Sequence, residues 1–198
     1  METSKIEIII HRINKITELK MIPARYGCEI DIRANGSKLV LNHEPYLKGD
    51  LLSDYLDAYN NGTLVLNIKE SGIENDVLKM VRNYKINSYF LLDVEFPYLY
   101  NQTRKGERSI AIRFSEDEPI ELVSNYLDKV DWVWIDTNTT LPLGKENISI
   151  LSEFKTCLVC PERWNRPEDI LIYKRKMKDL GFKLNAVMTN FKYSKLWD

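Results

Sequence analysis

Residues 156–189 read TCLVCPERWNRPEDILIYKRKMKDLGFKLNAVMT. Two short apolar runs, Thr156 to Val159 and Leu184 to Thr189, flank a longer amphipathic segment from Pro167 to Leu180. Proline stands in the first turn of that segment, Glu168 and Asp169 follow it, Lys174, Arg175, Lys176 and Lys178 come late, and Gly181 closes it. That order of charges suits a helix dipole, and the proline and glycine mark a helix start and stop. A strand, a helix and a second strand in succession are the repeating unit of an α/β protein with parallel strands.

The same alternation runs outward through the chain. Strands are expected near Glu7 to Ile10, Cys28 to Arg33, Leu64 to Ile68, Ser88 to Leu92, Ser109 to Phe114, Trp132 to Ile135, Thr156 to Val159 and Leu184 to Thr189. Helices are expected at Leu51 to Tyr59, Glu74 to Tyr84, Pro119 to Leu127, Asn147 to Phe154 and Pro167 to Leu180, with Pro97 to Gly106 a surface loop or short helix. Eight strands with helical crossovers predict a compact (β/α)8 TIM barrel, at the short end of a fold that usually takes about 250 residues. Asn35-Gly36 precedes the run Lys38 to Leu41, so a small hairpin arm is expected after the second strand. The alternative is an open doubly wound sheet, because strand count does not establish closure.

With 198 residues, 44% of them hydrophobic, the chain is read as a single domain spanning 1–198. A net charge of -1 supplies no global basic field, so nucleic acid is not an expected partner. The apolar runs Ile6 to Ile10 and Asn87 to Leu92 fall far short of the roughly 20 residues of a membrane span. The start Met1-Glu2-Thr3-Ser4-Lys5 lacks the pattern of a secretory signal, and cytoplasmic residence is expected. Three cysteines do not make a disulfide framework, and Cys157 and Cys160 fall on opposite faces of a strand, which favours buried thiols over redox or zinc chemistry. The basic run Lys174 to Lys178 is read as the solvated face of the last helix.

Polar residues at the carboxyl ends of barrel strands are where chemistry is expected. The first strand ends in His11-Arg12, the second carries Glu29-Ile30-Asp31, the arm ends in His43-Glu44, and the third strand carries Asn67-Ile68-Lys69. Glu29 and Asp31 share one strand face while Cys28, Ile30 and Ile32 take the other. Two inward carboxylates need positive charge beside them, supplied either by a hard divalent cation, Mg2+ or Ca2+, or by ion pairs with Arg12, Arg33 or Lys69. The chain has only two histidines, both beside these groups in sequence, and a cluster of that composition suits phosphoryl transfer.

The order His11-Arg12, Glu29-x-Asp31, His43, then a strand ending in Ile68-Lys69 resembles the glycerophosphodiester phosphodiesterase family and the related spider-venom-type phospholipases D, which are TIM-barrel phosphodiesterases of the phospholipase C-like kind. The likeness is sharpest over the first 43 residues and returns at Thr189-Asn190, where the family has Thr-Asp. The resemblance implies that His11 and His43 are an acid and base pair, that Glu29, Asp31 and the position of Asn67 are metal ligands, and that Arg12 and Lys69 bind the phosphate. It also implies attack by a neighbouring substrate hydroxyl and a cyclic phosphate that water then opens. Asp93, Arg113, Trp134 and Asp136, at other strand ends, are candidates for the substrate pocket, with helix capping or core packing as their plainer roles.

The departures are specific. Ile13 stands where the family has glycine, the Glu-Asn-Thr segment is missing between Asn14 and Pro23, and the insertion after the second histidine shrinks to Glu44 through Gly49, which predicts an uncovered mouth. Asn67 replaces a family carboxylate and keeps a carbonyl oxygen while removing a negative charge. Glu70 falls on the other strand face from Asn67, whereas Asp93 is a possible replacement carboxylate. The chain is therefore expected to be a metal-dependent diesterase acting on a small phosphodiester. The alternatives are a degenerate barrel that binds a phosphorylated ligand or a protein partner, and a barrel lyase or isomerase acting on a sugar phosphate. No sequence feature chooses the alcohol or the oligomeric state.

Overall fold

The structure, a computed structural model, describes residues 5–198. They form two compact units, residues 9–101 and residues 102–198 together with 5–8.

In the first unit the elements are β1 (Glu7–Ile10), α1 (Ile16–Leu19), β2 (Gly27–Asn35), β3 (Lys38–Leu41), β4 (Asp50–Leu51), α2 (Leu52–Ala58), β5 (Leu64–Ile68), α3 (Glu74–Asn83), β6 (Tyr89–Leu92) and α4 (Phe96–Thr103). The strand β1 and the helix α4 each place residues in both units. Strands β1, β2, β5 and β6 are parallel neighbours in that order, with Ile10 beside Cys28, Asp31 beside Asn67 and Asn67 beside Leu92. Every residue of β5 is buried, as expected of a parallel strand covered on both faces. Gly27 opens β2 because a Cβ there would lie 2.3 Å from the Thr63 carbonyl oxygen. Beyond Ile32, β2 continues as an antiparallel ribbon with β3, which in turn pairs with β4. The turn is Gly36-Ser37, with Gly36 at φ 62°.

The second unit continues with β7 (Ala111–Phe114), α5 (Ile120–Ser124), β8 (Trp132–Ile135), α6 (Ile148–Leu151), β9 (Lys155–Val159), α7 (Asp169–Asp179) and β10 (Ala186–Thr189). Its strands are parallel in the order β7, β8, β9, β10, and the Glu7 N–H donates to the Asn185 carbonyl at 2.9 Å. The helix α7 stops as its sequence foretells. Gly181 takes φ 69°, its N–H donates to Lys178 O, and Phe182 N–H donates to Met177 O, the paired closure that a left-handed glycine permits.

Two expected helices are shorter than their apolar periodicity. After Ser124 and after Leu151 the chain tightens into i to i−3 bonds, Tyr126 N–H to Val123 O and Phe154 N–H to Leu151 O. The same tightening at Ile170 N–H to Pro167 O delays the start of α7.

Candidate active site

Strand β2 builds the site. Its pleat aims Glu29 and Asp31 to one side, and both are only 1% exposed. Asn67, 8% exposed, stands beside Asp31 on β5 and donates from Nδ2 to Glu29 Oε1 at 2.8 Å. Just past the end of β1, Arg12 adopts φ 55°, a left-handed conformation rare for a side chain of its size. That turn sends its backbone N–H to Glu29 Oε2 at 2.7 Å and its Nε to within 3.4 Å of Asp31 Oδ2. His11 Nε2 lies 3.9 Å from Glu29 Oε2. Lys69 Nζ, beyond β5, lies 3.3 Å from Asp31 Oδ1 and donates to Asp93 Oδ2 at 3.4 Å, Asp93 following β6 with φ 59°.

These contacts bring His11, Arg12, Glu29, Asp31, Asn67, Lys69 and Asp93 together at the carboxyl ends of four parallel strands, where α/β sheets present their binding groups. The electrostatics follow from burial. Removal of Glu29 from water, reinforced by the charge of Asp31, raises its carboxyl to about 7, against the pull of Asn67, the Arg12 N–H and Lys69. On the opposite face of β2, burial pushes the Cys28 thiol up to about 12.

His43 follows the ribbon and is more open. Its Nδ1 is 2.7 Å from Glu44 Oε1, and that hydrogen bond lowers the Glu44 carboxyl. With Arg12, Asn14 and Lys48 it lines a cavity of about 360 Å³. Arg33 braces this region by donating to the carbonyls of His43, at 2.8 and 3.0 Å, and of Lys69, at 3.2 Å. Glu70 turns away to Arg33 and the Ala34 N–H.

Asn14 escaped the sequence reading. Its Nδ2 donates to Asp31 Oδ2 at 2.8 Å and its Oδ1 accepts the Asp31 N–H at 2.8 Å. A lone asparagine in a loop, 17 residues from its partner, leaves no sequence signal. Asp50, which accepts the Ile16 N–H at 2.7 Å at the start of α1, is equally silent.

Arg113, Trp134 and Asp136 lie in the second unit. Arg113 hydrogen-bonds to Asp136 Oδ2, and Trp134 Nε1 donates to Asp136 Oδ1 at 3.2 Å, so the three polar groups pair with one another across β7 and β8. In the same unit Glu162 accepts from Asn190 N–H at 2.8 Å and Asn190 Nδ2 at 2.6 Å.

Among the described residues no three His, Cys, Asp or Glu side chains converge as a metal centre, since the third donor here is an amide. The donor set nevertheless fits a hard cation. Asp31 Oδ1 and Asn67 Oδ1 are buried oxygens with no hydrogen-bond partner, and oxygen is the ligand that Mg2+ and Ca2+ take.

Comparisons with known proteins bear on this fold. No family model matches the chain, and no curated protein matches it by sequence. Solved structures do. A glycerophosphodiester phosphodiesterase from Agrobacterium tumefaciens superposes with a TM-score of 0.69 at 11% identity, over 93% of this chain and 97% of that one. A phosphodiesterase from Oleispira antarctica, solved with the product sn-glycerol-3-phosphate, gives 0.65 at 14% identity over 96% of each chain. A glycerophosphoryl diester phosphodiesterase from Parabacteroides distasonis gives 0.66 at 14% identity, over 100% of this chain and 89% of that one. The chain has the mixed α/β, TIM-barrel-like fold of these phosphodiesterases. No described helix is long and apolar enough to cross a membrane.

Proposed function

We propose that the protein is a phosphoric diester hydrolase of the glycerophosphodiester type, acting on a small phosphodiester. The observation that carries this reading is the burial of Glu29 and Asp31, each 1% exposed, within 4 Å of His11, Arg12 and Lys69. Nothing in packing favours two desolvated carboxylates side by side; holding a cation against them does.

Glu29, Asp31 and Asn67 would hold a divalent cation, Mg2+ or Ca2+, whose charge would draw electron density from the phosphate. Arg12 and Lys69 bind the non-bridging oxygens. One histidine of the pair His11 and His43 takes the proton of the attacking hydroxyl, either a neighbouring group of the substrate or water, and the other returns a proton to the departing alkoxide. Glu29 Oε2 lies 3.9 Å from His11 Nε2. A neighbouring hydroxyl yields a cyclic phosphate plus the free alcohol; water then opens the ring to a monoester. Three buried, unpaired thiols suit the cytoplasmic location expected from sequence.

The neutral Asn67 favours a second reading, a degenerate barrel that binds a phosphorylated ligand without turning it over. Phosphorus NMR on a panel of glycerophosphodiesters, sugar phosphodiesters and lysophospholipids separates the two. A new monoester or cyclic-phosphate resonance that vanishes with chelator and in His11→Ala is the expected result. Wild type inert across the panel, with diester binding that survives chelation, supports the binding module instead.

A further inference from the structure

The cavity of about 360 Å³ that Arg12 and His43 share has two further walls. One is the segment Lys48-Gly49-Asp50 leading into β4, and the other is the start of α1, with Lys15 and Glu18. The first wall is fixed in place. Lys48 O accepts from Asn42 Nδ2 at 3.0 Å, Asp50 pairs with Leu41 across β4 and β3, and a Cβ on Gly49 would stand 2.0 Å from the Leu41 carbonyl oxygen. Asp50 Oδ2 accepts the Ile16 N–H at 2.7 Å, which ties the two walls together.

The polar groups divide into those already engaged and those left for a ligand. Asn14 is spent on Asp31, and Asn42 on Lys48 O and the Glu44 N–H. Arg12 is drawn to Asp31 at 3.4 Å. Two cations then stand against two anions. Lys15 lies 4.0 Å from Glu18, Asp50 keeps its Oδ1 for a further bond, and the Lys48 ammonium has no partner among the described residues. Beyond the lining, Glu44 is drawn to His43, Arg12 and Arg33, and Arg33 also to Glu70. The cavity thus offers donors and acceptors with no excess of either charge. Apolar carbon is scarce in it. No Phe, Tyr or Trp lines it and Leu41 is buried, while Tyr46 and Leu47, on the same loop as Lys48, line a separate cavity with Arg33 and Glu70.

Aromatic faces hold a quaternary ammonium, and apolar walls hold an acyl chain. Neither is present here. Hydroxyls, each both donor and acceptor, match a mixed set of ammonium and carboxylate groups. We infer that this cavity takes one alcohol of the substrate and that it selects a polyol. With the phosphate at Arg12 and His43, the hydroxyls donate to Glu18 and Asp50 and accept from Lys15 and Lys48. Glu18 and Lys48 are therefore specificity-determining residues. The place of the phosphate rests on the diesterase reading.

The probes are the methyl phosphodiesters of glycerol, myo-inositol and choline, in each of which a single group besides methyl competes for the cavity. Saturation-transfer NMR in MgCl2 gives their affinities for wild type, Lys48→Met and Glu18→Met, and phosphorus NMR on the same samples reads hydrolysis. Circular dichroism melts check folding, and Lys48→Ala and Glu18→Ala serve if the methionine variants do not fold. The tighter of the two polyol diesters should bind wild type about tenfold better than the choline diester. Each variant should cut that preference by about threefold or more, the size of one hydrogen bond in a cavity open to water. A choline diester that binds as tightly as the polyols overturns the subsite, and so does a preference that survives either substitution. Hydrolysis without preference removes the subsite and keeps the enzyme. A preference that the variants abolish, with no hydrolysis, keeps the subsite and removes the enzyme. Neither binding nor hydrolysis of any of the three removes both.

Discussion

The Asn14 side-chain amide grips Asp31 twice, accepting its backbone N–H and donating to its Oδ2, each at 2.8 Å. This clamp decides which oxygen of Asp31 is left without a hydrogen bond. Replacement by alanine strands a buried N–H and leaves Asp31 Oδ2 to the Arg12 ion pair, which costs about 1–3 kcal/mol where no water enters. Asn14→Ala should unfold at lower urea than wild type by that amount, and Asn14→Asp, which sets a like charge against Asp31, should fall further. An alanine variant as stable as wild type would show that water replaces the amide without loss.

His11→Ala and His43→Ala should each lower diester turnover by about 10²-fold or more, the usual weight of a general acid or base. The melting temperature of His43→Ala should stay close to wild type, because that side chain is 38% exposed. Glu44→Gln should do less, since Glu44 is exposed and touches His43 at Nδ1. Unchanged turnover in both histidine variants would remove the acid and base assignment.

Burial and Asp31 raise the Glu29 carboxyl from 4.5 to about 7. Between those values the folded chain retains a proton that the unfolded chain has released. The contribution of Glu29 to stability is therefore fully present below about pH 4.5 and is lost as pH rises through about 7. In chelator, the melting temperature of wild type should decline relative to that of Glu29→Gln from pH 5 to pH 8. Divalent cation should reverse the decline by competing with the proton. Parallel profiles for the two proteins would contradict the assigned burial of charge.

Asn67→Asp restores a third carboxylate. Cation affinity should rise by about tenfold or more, since ligand charge tunes such sites over wide ranges. The gain comes with the loss of the Asn67 Nδ2 bond to Glu29 Oε1 and with a new repulsion in its place. The metal-free variant should melt below wild type, and the cation-loaded one above it. Calorimetry and melts with and without chelator check both halves.

Some of this was legible in the residues. The alternation of Cys28 to Arg33 set Glu29 and Asp31 on one face, and Pro167, the charge order after it and Gly181 set the last helix and its stop. Both are local properties: side-chain period and backbone φ are decided within a few residues. The family resemblance then attached chemistry to His11, Arg12 and Lys69, and the solved phosphodiesterases share the fold.

What the sequence determined by itself was which residues are polar at strand ends and which way each faces. Only the tertiary structure decided their partners. Asn14 met Asp31, Asn67 met Glu29, Lys69 came to rest between Asp31 and Asp93, and Arg113 closed on Asp136. The physical reason is register. Asp31 lies beside Asn67 because β2 and β5 pair along their whole shared length, and that alignment is chosen by buried apolar contacts between strands far apart in sequence. Periodicity tells a side chain which face to take, and strand pairing tells it what it will find there.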